Sequence, residues 1–223
     1  RILAALREEG KSVSTFFSAG KLAFHHNGSG HEADILIFGT RTPFRLKLEL
    51  RHPWGRPLMH LLIMDSQIQI LSFSEKRCYS GSLSEAGKFG ILPEGMLSVQ
   101  LWALVRGLPS VLPYSKAISV KGDQISLLDA NSQEVEIIDF YPESDRPRRI
   151  TFPMQGIRFI LSGYERTSGI LYATNTRLES LHAKNALALK LIQVVFNRAI
   201  PEPIFELHIP AGFKTISLKE AGR

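Results

Sequence analysis

Three histidines, His25, His26 and His31, stand close enough in the chain to offer ligands to a metal ion. Their setting argues against it. They flank the stretch Asn27-Gly28-Ser29-Gly30, and no Asp, Glu or His joins them at the i, i+4 spacing that puts two ligands on one helical face. Gly28 and Gly30 lack the third glycine, the Lys-Ser/Thr ending and the following helix of a phosphate-binding loop, and Ser29 lacks the Gly-x-Ser-x-Gly elbow of hydrolases. Cys78 is the sole cysteine, which rules out an internal disulfide and a multi-cysteine metal site. Between Arg77 and Tyr79 it reads as a structural thiol of a strand. The carboxylates Asp34, Asp65, Glu75, Glu94, Asp123 and Asp139 stand apart from one another at strand ends and turns, where Asp bonds its own backbone. The expectation is therefore no metal, no cofactor and no catalytic residue.

The composition carries a different message. With 44% hydrophobic and 22% charged residues, the 223-residue chain has the make-up of a globular protein, and one domain spanning 1–223 is expected. No apolar run reaches the roughly 18 residues of a membrane-spanning helix. The net charge of +6 would suit anionic membranes or nucleic acid, but the basic residues are dispersed. Arg45 and Lys47 alternate with Phe44, Leu46 and Leu48 as on the wet face of a strand, and Arg146 to Arg149, beside Glu143 and Asp145, reads as a loop. Nucleic acid is not an expected partner.

The elements follow from periodicity. Residues 1–15 carry Ile2, Leu3, Leu6 and Val13 at near-helical spacing, predicting a short amphipathic helix that ends about Gly10. From Phe16 the period becomes two. Asn27-Gly28 predicts a hairpin turn, with Ala33 to Phe38 as the returning strand. Phe44, Leu46, Leu48 and Leu50 form the clearest amphipathic strand, and His52-Pro53-Trp54-Gly55-Arg56-Pro57 must be a loop. Met59 to Ile63, Ile68 to Phe73 and Lys76 to Ser80 continue the meander. One convincing helix follows between about Pro93 and Gly107, with Leu97, Leu101, Leu104, Val105 and Leu108 on a stripe and Gly107 and Pro109 as its stop. Short strands then recur to the end: 117–120, 124–128, 134–140, 148–152, 156–162, 169–173, 189–197 and 205–209. The fold class expected is mainly β.

Two runs carry a resemblance. Phe44-Arg45-Leu46-Lys47-Leu48-Glu49-Leu50, followed by His52-Pro53-Trp54-Gly55, resembles the strand and "x-Pro-Leu-Gly" loop of LolB-type lipoprotein receptors. Leu101-Trp102-Ala103-Leu104-Val105-Arg106-Gly107-Leu108-Pro109 is similar to that family's helix ending in "W-hydrophobic-x-Gly-Leu-Pro". The resemblance to the LolA/LolB family implies an incomplete, half-open antiparallel β-barrel with a helical lid or plug over a hydrophobic cavity. It also implies a non-enzymatic role: accepting acyl chains of lipoproteins, or phospholipid, from a periplasmic carrier and inserting them into the inner leaflet of the outer membrane. Receptors of this type are themselves anchored by an N-terminal lipidated cysteine. No such cysteine is present here, so the expectation is a periplasmic protein anchored to the outer membrane by a lipid upstream of Arg1, with a soluble carrier as the alternative.

Physics asks for the same device. An acyl chain exposed to water costs about 0.8 kcal/mol per CH₂, so a shuttle must offer an apolar cavity that can also release its cargo. Alternation selects Leu46, Leu48, Met59, Leu61, Ile63, Ile68 and Ile70 as inward-facing, with Leu101, Trp102 and Val105 from the helix as lid. Trp54, in place of the family's Leu, is the candidate membrane-insertion residue. Two alternatives stay open. An envelope interaction module would present the sheet and the Trp54 loop to a protein partner; an enzyme would need a cleft of convergent polar groups.

Overall fold

The computed structural model describes residues 1–26, 29–88, 92–93, 95–182 and 185–221. An N-terminal helix, α1 (Ile2–Lys11), leads into a long hairpin, β1 (Thr15–His26) and β2 (Ser29–Thr40). The expected turn residues Asn27 and Gly28 lie outside the described residues. A meander follows: β3 (Arg45–Arg51), β4 (Pro57–Met64), β5 (Gln67–Ser72) and β6 (Arg77–Ser82). Two helices interrupt the strands, α2 (Leu83–Lys88) and α3 (Ser98–Arg106). Seven more strands then run antiparallel to their neighbours or continue the series: β7 (Lys116–Lys121), β8 (Gln124–Leu128), β9 (Glu134–Phe140), β10 (Pro147–Phe152), β11 (Ile157–Thr167), β12 (Ile170–Ser180) and β13 (Asn185–Phe196). The chain closes with β14 (Lys214–Ser217) and the turn of helix α4 (Leu218–Ala221).

All these strands belong to one 14-stranded sheet in the order β14-β6-β5-β4-β3-β2-β1-β13-β12-β11-β10-β9-β8-β7. The sheet is open, since β14 and β7 stand at opposite ends of that order. The expected mainly β class is what the chain adopts. The one parallel pair among the described registers is β14 with β6. No helix of the described residues is long and apolar enough to cross a membrane.

The chain divides into two compact units, one made of 1–12, 23–31 and 103–190, the other of 13–22, 32–102 and 191–223. In the first, β8 to β12 bury Leu127, Ile138, Ile150, Phe159 and Leu161, with Phe152 and Phe159 edge-to-face at 5.2 Å. The second is built on β2 to β6.

Three expectations on elements need correction. The helix predicted from about Pro93 begins at Ser98, and Leu97, assigned to its buried stripe, is 45% exposed at the entry. Gln100 Oε1 accepts the Leu97 N–H at 2.8 Å, so the helix start is satisfied from within. The strand expected to end at Ser162 runs on to Thr167, because Gly163 takes φ +66° without breaking the pairing of Ser162 with Asn175 and Tyr164 with Ala173. No strand forms at 205–209. Residues Glu202–Phe205 make a turn of 3₁₀ helix, and the last strand is β14 instead.

Candidate functional site

The candidate site is one face of β2 to β6, and register alone assembles it. Reading across the strands, Gly39 faces Leu46, which faces Ile63, then Ile68, then Gly81. The next row is Ile37, Leu48, Leu61, Ile70 and Tyr79, and the one beyond it Ile35, Leu50, Met59, Ser72 and Arg77. Strands of this kind place every second side chain on one face, so a single register error would have scattered the set. The structure brings Leu46, Leu48, Met59, Leu61, Ile63, Ile68 and Ile70 together on one continuous apolar surface.

The first row is sealed. Glycine at each end leaves room for a covering group. A Cβ at Gly39 would lie 2.5 Å from Trp102 Cζ3, and one at Gly81 would lie 2.9 Å from Leu218 Cβ of α4. Trp102 is 4% exposed and meets Phe16 and Phe44 edge-to-face, at ring-centre distances of 6.5 and 6.2 Å. α3 is thereby keyed into the sheet by its indole. Leu101 and Val105 on the same helix are buried too. Further along the face the cover is incomplete: Leu48, Met59 and Tyr79 are only half-buried, among Ile35, Ile37, Leu50, Leu61 and Ile70, which are buried.

The indole's seat makes a prediction. Gly39→Ala, in a Trp54→Phe background so that Trp102 alone reports, is expected to push the ring out of its place. That should red-shift the fluorescence and cost about 1–3 kcal/mol, as overpacking does. Unchanged emission would mean that the helix is not held by this contact.

The opposite face of the same strands is not the wet surface that the charge alternation implied. Lys47 is 8% exposed and Leu62, Leu71 and Cys78 are at most 2% exposed. Residues 202–213 lie over them. Arg45 pairs with Glu202 and stacks at 4.6 Å over Phe205, Lys47 Nζ donates to the Glu206 carbonyl at 3.1 Å, and Phe73 meets Phe213 at 5.8 Å. Beneath this strap, burial alone would lift the Glu49 carboxyl, but Arg51, His60 and Lys47 outweigh it and hold it below its ordinary range. Burial depresses His60 in turn, against the pull of Glu49 and with the help of Lys47 and Arg51. The group is structural: Lys47 lies 3.4 Å from Glu49, which also takes Arg51 at 2.6 Å. Cys78 is buried and its thiol is pushed up by that burial, in keeping with a structural role.

The loop between β3 and β4 presents Trp54 at 90% exposure. Gly55, at φ +83°, closes the turn by donating to the His52 carbonyl at 2.7 Å, and the His52 N–H donates to the Arg56 carbonyl at 2.8 Å. The indole lies 4.7 Å from the His52 ring. Among the described residues no group of three His, Cys, Asp or Glu is arranged to hold a metal ion.

A cavity belongs to the other unit. Here α1 stands over Leu108, Pro147, Tyr164 and Leu171 around a half-open cavity of about 270 Å³. Sequence reasoning missed it, since its walls come from four separate stretches with no shared motif.

No family model matches the sequence, and no curated protein matches it. Solved structures do. A DUF1329 family protein from Desulfovibrio piger superposes with a TM-score of 0.64 at 10% identity, over 92% of this chain and 94% of that one. A domain assigned to outer-membrane lipoprotein sorting from Vibrio parahaemolyticus gives 0.59 at 11% identity, with 92% and 94% covered. A LolA superfamily protein from Nitrosomonas europaea gives 0.58 at 12% identity, with 92% and 97% covered. The fold is LolA-like.

Proposed function

We propose that this chain binds acyl chains of lipoproteins or lipids on the apolar face of β2 to β6 and delivers them to the outer membrane without catalysis, acting as one domain over 1–223. The observation that carries the reading is the incomplete cover of that face. Trp102 and α4 close the first row, whereas Leu48 and Met59 in the next two rows stay only half-buried among buried neighbours. A surface meant only to be core would be covered throughout. Partial cover allows a chain to enter and leave, and α3, with Leu101, Trp102 and Val105, is the plug that would yield. Likeness in fold to a lipoprotein-sorting domain and to a LolA superfamily protein supports the same class of cargo. In this reading the protein is periplasmic and of the receptor type, taking its cargo from a periplasmic carrier protein and passing it to the inner leaflet of the outer membrane.

Uptake of a fluorescent fatty acid tests it. Leu48→Glu and Met59→Glu each set a carboxylate on the half-open part of the face, where folding tolerates it, and each is expected to weaken uptake about tenfold or more with little change in melting temperature. Uptake unchanged in both variants, or absent from the parent protein, sinks the proposal.

Trp54 favours a second reading, an interaction module of the envelope, because so exposed an indole serves equally well as a hot spot for a protein partner. Trp54→Glu separates the two. If the tryptophan dips into lipid, the variant keeps fatty-acid uptake and loses transfer to anionic vesicles. If it anchors a protein, vesicle transfer is untouched and a co-purifying partner is lost.

A further inference from the structure

The cavity beneath α1 has a floor and a rim of opposite character. Its floor is apolar and buried, with Leu6, Leu108 and Pro147 within it. Its rim carries four charged side chains, Glu9 from α1, Asp145 and Arg146 from the loop before β10, and Arg166 from β11. Arg166 attracts Glu9, whose carboxyl burial nonetheless lifts above its ordinary range. The guanidinium of Arg146 lies 5.9 Å from the Tyr164 ring centre, and Arg166 Nη1 donates to the Gly169 carbonyl, so both cations, though exposed, stand at the rim. Tyr164 is not a spare donor there. Its hydroxyl donates to the Pro147 carbonyl at 2.6 Å, and its ring is wall.

Two cations and two anions around one opening suit neither a simple anion nor a simple cation, since each would meet two like charges. They suit a ligand that carries both signs. The volume, about nine waters' worth at roughly 30 Å³ each, is below the usual ~300–1,000 Å³ of drug-sized pockets, so it has room for a head group and a short stretch of chain.

We propose that the α1 cavity is a binding site for the head of a zwitterionic amphiphile, with the ligand's phosphate on Arg146 and Arg166, its ammonium on Glu9 and Asp145, and its first methylenes on the apolar floor. The site is independent of the acyl-binding face described above and is read with different variants and a different probe.

Calorimetric titration of the full chain with a hexyl series that changes only the head tests the assignment: hexylphosphoethanolamine, hexyl phosphate, hexylammonium and hexanol. The zwitterion is expected to bind about tenfold tighter than any of the other three, because only it pairs both signs. Arg166→Gln should bring its affinity part of the way down to that of hexylammonium, with Arg146 left to hold the phosphate, and Glu9→Gln part of the way down to that of hexyl phosphate, with Asp145 left to hold the ammonium. Both residues lie at the surface end of the site, so both variants should fold, as circular dichroism will check. Equal binding of zwitterion and hexanol, a preference for hexyl phosphate in the parent protein, or no binding of any member overturns the proposal.

Discussion

Gly107→Ala is expected to cost at least about 3 kcal/mol of stability in urea denaturation. The glycine ends α3 in a left-handed conformation, φ +63°. Its N–H donates to the Leu104 carbonyl at 3.4 Å and the Leu108 N–H to the Ala103 carbonyl at 3.3 Å, the paired bonds of a Schellman ending. That conformation alone would cost alanine about 1 kcal/mol. Space is the larger problem, since a Cβ at this position would fall 1.9 Å from the Ala173 carbonyl oxygen. The neighbour cannot step aside, because the Ala173 N–H donates to the Gly107 carbonyl at 2.7 Å and Ala173 pairs with Tyr164 inside the sheet. Gly55→Ala is the control. It shares a positive φ, +83°, but has nothing within 4 Å, so only the backbone cost remains. If the two variants lose the same stability, close approach to β12 is not what demands glycine at 107.

Glu136→Gln is expected to flatten part of the dependence of stability on pH. Glu136 is fully buried, and desolvation pushes its carboxyl up to about 8, against the lowering influence of the Leu112 N–H at 2.7 Å and of Arg7. In the unfolded chain the carboxyl loses its proton near 4.5, so between 4.5 and 8 the folded state holds a proton that the unfolded state has released. Stability from this group is therefore whole below 4.5, falls as pH rises, and levels off above 8. Glutamine keeps the acceptor for Leu112 and has no proton to lose. Variant and parent should be close in stability at pH 4, and by pH 8 the variant should be ahead by about 4 kcal/mol. Parallel curves would mean that the carboxylate is ionised in the fold and paired there.

Much of the apolar face was legible because β3 alternates cleanly from Leu46 to Leu50 and short connections pair β4 and β5 with it, even though β4 is apolar on both faces from Leu61 to Met64. The Gly107-Leu108-Pro109 ending was legible for a related reason: a left-handed stop has few chemical solutions. α2 was missed although its signal was present. Ser82 and Glu85 cap each other, the Glu85 N–H donating to Ser82 Oγ at 3.3 Å and the Ser82 N–H to Glu85 Oε2 at 2.8 Å, and the Ser-x-x-Glu spacing of that box can be read directly. The buried state of Lys47 could not be read that way. Alternation tells which side chains share a face of a strand, and nothing local tells what will later lie on that face. The cavity beneath α1 has the same difficulty, since more than a hundred residues of chain separate α1 from the loop before β10 and from β11.

The strap over the back of the meander also sets an order of events. Its contacts join residues 157 and 159 positions apart, Arg45 with Glu202 and Lys47 with Glu206. While the polypeptide emerges from the ribosome or a translocation channel, β3 to β6 can pair among themselves early, since their contacts are local. Leu62, Leu71 and Cys78 then stay bare until residues 202–217 have been delivered. For that interval the nascent chain displays a greasy sheet on both sides, and prematurely terminated products keep it permanently, which makes them natural clients for chaperones and proteases.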